Sequence, residues 1–289
     1  GRTGVITPVA TVDPIEVHGV MVQHATLHNY AEVKRKDVRV GDLVLLQRAG
    51  DVIPHIFSAV LPERPPNTQA KKPPTHCPSC DTALLQSTSG IDWHCPAHDR
   101  CDAQLKAALI HYAQRDAMDI ERLGPGIIDL LWQHAGVKRF TDLYMLTEDA
   151  LTPLPGMGQK SAHQLIAAID ASRQKPLALF LYGLGIHNVG KRTAETLAQL
   201  GSIDQVLTVD ETTLMALPDI GPTVAKNIVD FMQDSANRQL IDNLRTMGCV
   251  WSAPNTTKKG PLEGRCFVLT GRLHELSRKE VRQKLEALG

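Results

Sequence analysis

The chain has 289 residues, 43% of them hydrophobic, and its 31 basic and 31 acidic side chains give a formal net charge of +0. This composition excludes a largely disordered chain and leaves room for two or three domains with packed cores. No apolar run approaches the roughly 20 residues of a transmembrane helix, so no membrane partner is expected, whereas nucleic-acid binding stays open because it depends on where the basic residues lie.

The chain begins with Gly1, its first methionine is Met21, and no charged-then-apolar leader precedes it. We therefore expect no secretory signal, and we expect the chain to begin inside a longer protein. Short apolar runs then alternate with turn residues such as Gly41-Asp42. The runs are Val17–Val22, Val38–Val40, Leu43–Leu46 and Val52–Val60. They are rich in Val, Ile and Leu and lack a helical period, which predicts a small β-barrel or sandwich over residues 1–70.

A proline-rich linker, Leu61–Pro74, leads into a cluster of four cysteines. The cluster consists of Cys77, Cys80, Cys95 and Cys101. Four thiolates with a tight x2 turn suit a tetrahedral zinc ion with no vacant position, which is a structural site rather than a catalytic one. Clustering in a leaderless chain favours this site over disulfides and predicts a cytoplasmic location. Two alternatives stay open: four reduced cysteines in a core, or a nearby histidine replacing one ligand. The candidate histidines are His76, His94 and His98.

From residue 104 to residue 252, apolar residues recur at helical spacing and are interrupted by short glycine turns. The turns are Gly124-Pro125-Gly126, Gly156-Met157-Gly158, Asn188-Val189-Gly190 and Asp219-Ile220-Gly221. Their last glycines are 32, 32 and 31 residues apart, which indicates a tandem repeat of four helical hairpins.

The last three turns also share their flanking residues. Four residues before the last glycine stand Leu154, Ile186 and Leu217; four after it, Ala162, Ala194 and Ala225; and seven after it, Leu165, Leu197 and Ile228. We expect the alanine to let the second helix approach closely and the larger residue to return to the same face. The first hairpin has Leu130 in place of the alanine, and we expect it to be mainly structural.

Each turn is predicted to present unpaired backbone N–H groups at a helix N-terminus, where the helix dipole favours an anion. Glycine tolerates the required φ and removes the side chain that would block a phosphate. The candidate DNA contacts are Gly156, Gly158, Lys160, Gly190, Lys191, Arg192, Gly221 and Lys226. The pattern resembles the helix-hairpin-helix motif, which implies binding of DNA phosphates without regard to sequence. The alternative is an ordinary bundle of α-hairpins with glycine turns.

After a polar linker, Ser252–Pro261, the chain reads as a strand (Cys266–Leu269), a glycine turn and a helix opened by a capping box at Ser277 and Glu280. The order of the short motifs then resembles the bacterial-type NAD-dependent DNA ligases. The motifs are Gly1–Gly4, Thr7–Ala10, Ala25–Asn29, Gly41-Asp42, Arg48–Pro54, the four cysteines, the hairpin stretches Met118–Gly124, Leu154–Ala162 and Leu184–Ala194, and Leu262–Gly271.

The resemblance implies a multidomain α+β fold. Its parts would be an oligonucleotide-binding (OB) β-barrel at 1–70, a four-cysteine zinc finger at 71–103, an all-α domain of four helix-hairpin-helix motifs at 104–252, and the N-terminal part of an α/β BRCT domain at 260–289. Arg2 and Arg48 would contact phosphates or the minor groove, with Asp51 orienting Arg48, although both arginines could equally be solvated charges at strand ends.

The resemblance also implies an enzyme that seals nicks in duplex DNA in replication and repair. NAD would adenylate a lysine in a Lys-x-Asp-Gly motif, and AMP would activate the 5′-phosphate for attack by the 3′-hydroxyl with Mg²⁺. That motif is absent from this sequence, so no catalytic residue is assigned. The expected partner is nicked duplex DNA, bound by a monomer. A non-enzymatic DNA-binding repair protein is the alternative, and an RNA-binding factor fits the barrel and the zinc finger but not the hairpins.

Overall fold

A computed structural model describes residues 1–17, 19–49, 53–87 and 89–253, and beyond them residues 261–262, 265, 267–271, 280–281, 284–285 and 288. Two compact units are formed: Gly1–His111 with Pro125–Arg139, and Tyr112–Gly124 with Phe140–Gly289. Most of the expected BRCT segment, including Ser277 of its capping box, lies outside the described residues. None of the helices in the described ranges is long and apolar enough to cross a membrane.

The first unit opens with a four-stranded sheet. Its elements are β1 (Val9–Val17), β2 (Val20–Thr26), helix α1 (Tyr30–Lys36), β3 (Val44–Ala49) and β4 (Ile53–Ala59). The strand order is β1-β2-β4-β3, in which β1 and β2, and likewise β3 and β4, are antiparallel. A single parallel pair, Thr26 with His55, joins the two hairpins.

Helix α1 and the chain after it differ from the sequence prediction. The prediction of a strand at Val38–Val40 is wrong. This segment follows the helix and, among the described residues, pairs only through an isolated bridge between Arg39 and Ala70. The Asn29 side chain caps α1 by accepting from Glu32 N at 2.8 Å. The helix has seven residues and buries one of them, Val33, so no apolar period could reveal it.

The core of this sheet is small and continuous with α1. Its buried members are Ala25, Leu27, Val33, Val38 and Ile56. Val38 therefore packs into the core even though it belongs to no strand, which explains its apolar character.

The linker that follows β4 is fixed by an arginine. It begins with a 3₁₀ turn, Leu61–Glu63, and Arg64 then donates to Asp42 from Nε at 2.9 Å and to Asp37 from Nη1 at 2.7 Å. Arg39 donates from Nε to the same Asp37 carboxylate at 3.0 Å. The hydrogen bonds from the two guanidinium groups lower the pKa of Asp37 to about 2.

The cysteine segment adds two short strands, β5 (Leu85–Gln86) and β6 (Trp93–His94), which pair with each other. The second of them also pairs with the start of the chain, because Val5 bridges His94 and Ile6 N donates to Trp93 O at 2.8 Å. Helices α2 (Asp102–Ala113) and α3 (Pro125–His134) follow.

Within its described residues, the second unit is helical apart from one pair of short strands. Its elements are α4 (Phe140–Leu143), α5 (Glu148–Leu151), α6 (Gln159–Ala171), β7 (Gln174–Pro176), α7 (Leu177–Gly183), α8 (Lys191–Ala198), α9 (Ile203–Thr208), α10 (Glu211–Met215), α11 (Pro222–Gln233), α12 (Ser235–Thr246) and β8 (Val250–Ser252). Strands β7 and β8 are parallel, so the segment that follows α12 pairs with the segment between α6 and α7.

A buried chain of hydroxyl groups lies in the core of this unit. Tyr112 Oη lies 2.9 Å from Tyr144 Oη, which lies 3.0 Å from Ser172 Oγ, and Ser172 donates to Ile169 O at 2.6 Å. Burial raises the pKa of Tyr144 to about 12. Each hydroxyl therefore stays neutral and has a partner, as buried polar groups require.

Candidate metal centre and nucleic-acid interface

The four cysteines converge on one point of the first unit. Their Sγ atoms all lie within 4.8 Å of one another, with Cys80 and Cys95 at 3.5 Å and Cys77 and Cys101 at 3.9 Å. Tetrahedral zinc with Zn–S bonds of about 2.3 Å requires sulfur atoms about 3.8 Å apart. The arrangement therefore fits a four-coordinate metal ion, and the three alternative histidines are not part of the group.

The surroundings of the sulfurs favour the thiolate at one position and oppose it at another. Hydrogen bonds from Thr82, whose Oγ1 lies 3.3 Å from Cys80 Sγ, lower the pKa of Cys80 to about 6. Burial raises the pKa of Cys95 to about 12. A bound dication would offset that burial, because metal coordination deprotonates a thiol. The cluster is thus suited to a metal, and all four positions would then be filled by protein.

Two residues that are not cysteines hold the backbone of the cluster at Cys95. Gly4 accepts from Cys95 N at 2.9 Å, and its φ is +74°. A Cβ at Gly4 would lie 2.6 Å from Cys95 O, so this position requires glycine. The buried Gln104 donates from Nε2 to Cys95 O at 3.2 Å. No pattern in the sequence pointed to Gln104, whereas Gly4 belongs to the Gly1–Gly4 motif.

The four hairpin loops share one backbone conformation. The residue two places before the last loop glycine has a left-handed φ, and the residue between them is buried. The left-handed residues are Arg122, Gly156, Asn188 and Asp219, with φ of 67°, 73°, 61° and 62°. The buried residues are Leu123, Met157, Val189 and Ile220. The glycine that follows is exposed and precedes helix α3, α6, α8 or α11.

This geometry corrects the register of the first hairpin. The spacing in the sequence predicts Gly126 as its last glycine, but α3 begins at Pro125, so Gly126 lies inside the helix and Gly124 is the equivalent loop glycine. The four glycines at 124, 158, 190 and 221 are 34, 32 and 31 residues apart. In the corrected register, Ile128 replaces the alanine and Leu131 matches the larger apolar residue, and both are buried.

The predicted flanks of the other three hairpins take the expected places. Ala162, Ala194 and Ala225 are completely buried, and each donates its N–H to the loop glycine's carbonyl at 2.9 Å. Leu165, Leu197 and Ile228 are buried on the same face one turn later. The pattern in the sequence therefore reflects the packing of each second helix.

The loop glycines are not explained by backbone strain, contrary to the expectation that they need an unusual φ. Gly158, Gly190 and Gly221 have φ of −92°, −86° and −88°, which any residue adopts. A Cβ at any of them would meet nothing within 4 Å. No side chain caps their helices within the described residues. Neither an unusual φ nor close packing requires glycine here, and the first two residues of each following helix are exposed.

The cations predicted beside these N-termini mostly have acidic partners. Lys191 pairs with Asp116, Arg192 Nε lies 2.8 Å from Asp219 Oδ2, and Lys226 Nζ lies 2.9 Å from Asp230 Oδ2. Lys160, the second residue of the second hairpin's helix, is exposed and makes no ion pair with any described residue.

The two arginines expected near the barrel are only partly located. Arg2 is half-buried in the first unit and has contacts within the chain. Arg48 lies in β3 opposite Pro54, and its side chain, like Asp51, lies outside the described residues.

Comparison with known families assigns three segments of the chain. Residues 1–68 match the family model of the NAD-dependent DNA ligase OB-fold domain. Residues 115–171 match the SAM-like helix-hairpin-helix tandem, and residues 179–241 match the helix-hairpin-helix motif. Each of these two helical segments contains two of the four loops.

Comparison with curated proteins covers the whole chain. It is 42% identical over 290 residues to a protein named DNA ligase from Coxiella burnetii (strain CbuK_Q154). It is 43% identical over 292 and 294 residues to proteins of the same name from Alkalilimnicola ehrlichii and Nitrosococcus oceani. Each alignment includes 100% of this chain and 43% of the relative, so the chain spans less than half the length of these relatives.

Proposed function

We propose that the chain is the DNA-binding C-terminal part of a nick-sealing enzyme. Residues 1–68 match the OB-fold domain of the NAD-dependent DNA ligases, and the whole length of the chain is related to proteins named DNA ligase. The partner would be nicked duplex DNA, and the enzyme would act as a cytoplasmic monomer. The last segment, 260–289, would begin a BRCT domain, since the alignment with the ligases extends through it.

One observation carries the DNA-binding part of this proposal. Three loop glycines of the second unit, at 158, 190 and 221, need neither an unusual φ nor space within the protein. Each precedes a helix whose first two residues are exposed and whose N-terminus no side chain caps within the described residues. An anion that approaches the backbone at the helix N-terminus accounts for both features.

The contacts would be made to phosphates, so binding would not depend on base sequence. Lys160 would add a cation beside the second hairpin, and Lys191, Arg192 and Lys226 would exchange their carboxylate partners for phosphates or share them. Arg2 and Arg48 would contact the duplex from the OB domain. Gly156 would serve as the left-handed residue of its loop.

The cysteine cluster would hold structural zinc through Cys77, Cys80, Cys95 and Cys101. With four thiolate ligands it would stabilise its loops and perform no step of the reaction. The adenylated lysine, the NAD site and the Mg²⁺ that assists nick sealing would belong mainly to the rest of the whole protein, because this sequence contains no Lys-x-Asp-Gly motif.

A salt titration of the 289-residue chain tests the proposal. We expect binding to a nicked duplex to weaken steeply with salt, with log K falling by about 0.9 per log unit of salt for each phosphate neutralised. Three hairpins that each neutralise one phosphate would give a slope of about −2.7. A flat salt response, or a preference for structured RNA over duplex DNA, would contradict the proposed grip.

The ligase assignment has its own test. The complete gene should encode a Lys-x-Asp-Gly motif upstream of Gly1, and the complete protein should seal a nicked duplex in the presence of NAD and Mg²⁺. If the complete gene lacked that motif and the protein left nicks open, the chain would belong to a non-enzymatic DNA-binding protein instead.

A further inference from the structure

The first unit contains a groove that neither the metal centre nor the hairpin loops use. It has a volume of about 520 Å³ and lies between helix α1, the segment Ala70–Pro73 of the linker, and strands β5 and β6. Its walls are largely apolar and include two half-buried aromatic rings. The apolar and aromatic wall residues include Tyr30, Val33, Val38, Ile91 and Trp93.

The charge around this groove is positive. Lys34, Lys71 and Lys72 line it, all three are exposed, and none forms an ion pair with a described residue. The one acidic residue of the lining is Asp37, whose carboxylate is held by Arg39 and by Arg64. The groove therefore attracts an anionic occupant, and no acid within it opposes that attraction.

The backbone beside the groove leaves little for a peptide to pair with. Strand β6 is paired on one side with β5 and on the other with Val5 and Ile6. Ala70 is already bridged to Arg39. An extended peptide that binds by adding a strand needs a free sheet edge, and these segments do not offer one.

Aromatic faces combined with a row of cations suit a different anionic polymer. Bases of any sequence stack on aromatic rings while lysines follow the phosphates, which is how single strands are held without sequence preference. We propose that this groove binds a few nucleotides of single-stranded nucleic acid, with a base against Trp93 and phosphates beside Lys34, Lys71 and Lys72. This site is additional to the duplex grip of the hairpin loops.

The fluorescence of Trp93 gives a direct readout. The chain has three tryptophans, so Trp132→Phe together with Trp251→Phe leaves Trp93 as the only emitter. We expect an oligothymidylate of eight nucleotides to quench this emission with a saturable curve, because a stacked base contacts the indole ring. An unchanged Trp93 emission at concentrations that shift the anisotropy of a labelled oligonucleotide would overturn the proposal.

Two pairs of charge reversals separate this site from the hairpins. Lys71→Glu with Lys72→Glu should weaken binding of labelled oligothymidylate at least tenfold and leave binding of a blunt duplex within about twofold. Lys160→Glu with Lys226→Glu, in the hairpin helices, should show the reverse pattern. The proposal would be overturned if the first variant lost as much affinity for the duplex as for the oligonucleotide, or if its affinity for the oligonucleotide did not change.

A competition experiment decides the class of occupant. Unlabelled oligothymidylate should displace the labelled strand from the wild-type chain and lower its fluorescence anisotropy, whereas polyglutamate of matched charge should do so only at concentrations at least tenfold higher. Equal competition by polyglutamate would show that the groove recognises charge alone and would overturn the assignment to single strands. Failure of the hairpin variant to lose duplex binding would instead contradict the proposed duplex grip.

Discussion

Asp219, the left-handed residue of the fourth hairpin loop, holds Arg192 of the third hairpin through an ion pair of 2.8 Å between Oδ2 and Nε. Arg192 is the second residue of α8, so the pair joins the loop of one hairpin to the N-terminus of another helix. A carboxylate beside two proposed phosphate sites would repel DNA unless a cation balanced it. Arg192 therefore has two roles in the proposed grip: it attracts phosphate and it neutralises Asp219.

A double-mutant cycle tests this coupling. Arg192→Ala should weaken duplex binding and reduce the salt slope by about 1, because a phosphate contact is lost and Asp219 is left uncompensated. Adding Asp219→Asn should restore part of the affinity, since it removes the repulsive charge. The measurement is duplex affinity across a salt series for the four proteins of the cycle.

The matched control for that cycle is the pair Lys226 and Asp230, which lie one turn apart on α11. Asp230→Asn added to Lys226→Ala should restore less affinity, because Asp230 lies farther from the loop in sequence and is not part of it. If the effects of Arg192→Ala and Asp219→Asn on duplex affinity were simply additive, the coupling between hairpins three and four would be refuted.

Alanine in place of a loop glycine should separate folding from binding. Gly158→Ala, Gly190→Ala and Gly221→Ala each add a methyl group into open space at an ordinary φ, so the free energy of unfolding should fall only by the modest cost of replacing an N-cap glycine, below about 1 kcal/mol. Duplex affinity should fall about tenfold for each, because a hydrogen bond between backbone and a charged phosphate contributes about 1.5–3 kcal/mol. Affinity and melting temperature are measured on the same samples.

Gly126→Ala is the control for the loop variants. This glycine is in open space too, but it lies inside α3 rather than before it. The substitution should raise helix stability slightly, since alanine is favoured over glycine in a helix by about 1 kcal/mol, and should leave affinity unchanged. Unchanged affinity in the loop variants as well would show that their glycines only cap helices.

These loops also show what the sequence could reveal. Burial of Ala162 and Leu165 follows from spacing within one helix, so the hairpins were predictable from a single sequence. The register of the first hairpin was missed, although Gly124-Pro125 matches Gly221-Pro222 and proline is favoured at the first position of a helix. Pairs such as Arg192 with Asp219 depend on tertiary distances between separate helices, which no local pattern encodes.

The metal centre should be lost when one thiolate is removed. The purified chain should contain about one zinc ion, and Cys77→Ser should abolish it, because a four-coordinate structural site needs all its ligands. Cys249→Ser is the control: Cys249 is also buried but lies outside the cluster, so zinc content should not change. Metal analysis by mass spectrometry measures both variants, and equal zinc in Cys77→Ser would show that Cys77 is not a ligand of the bound ion.

Loss of the metal should also loosen the start of the chain. Gly4 accepts from Cys95 N, and Ile6 N donates to Trp93 O, so the first residues are held by the cysteine segment. Chelation should therefore increase hydrogen exchange at Ile6 and in β6, while α8 in the second unit keeps its protection. Increased exchange spread evenly over both units would mean that the metal supports more than its own segment.

The acid sensitivity of the first unit should depend on Asp37. Hydrogen bonds from Arg39 and Arg64 lower its folded pKa to about 2, below the value of about 3.9 of an unfolded chain. A carboxylate with a lowered pKa contributes stability that is fully present above the unfolded value and is lost as pH falls through the folded one. The urea midpoint of Asp37→Asn, followed by Trp93 emission, should thus lie below that of the wild type at pH 6, and the difference should shrink between pH 4 and pH 2.

Asp129→Asn, which removes an ion pair with Lys106 in the same unit, should change the midpoint little at either pH. A difference for Asp37→Asn that stayed constant down to pH 2 would show that the variant acts through packing and not through the charge that Arg64 and Arg39 hold.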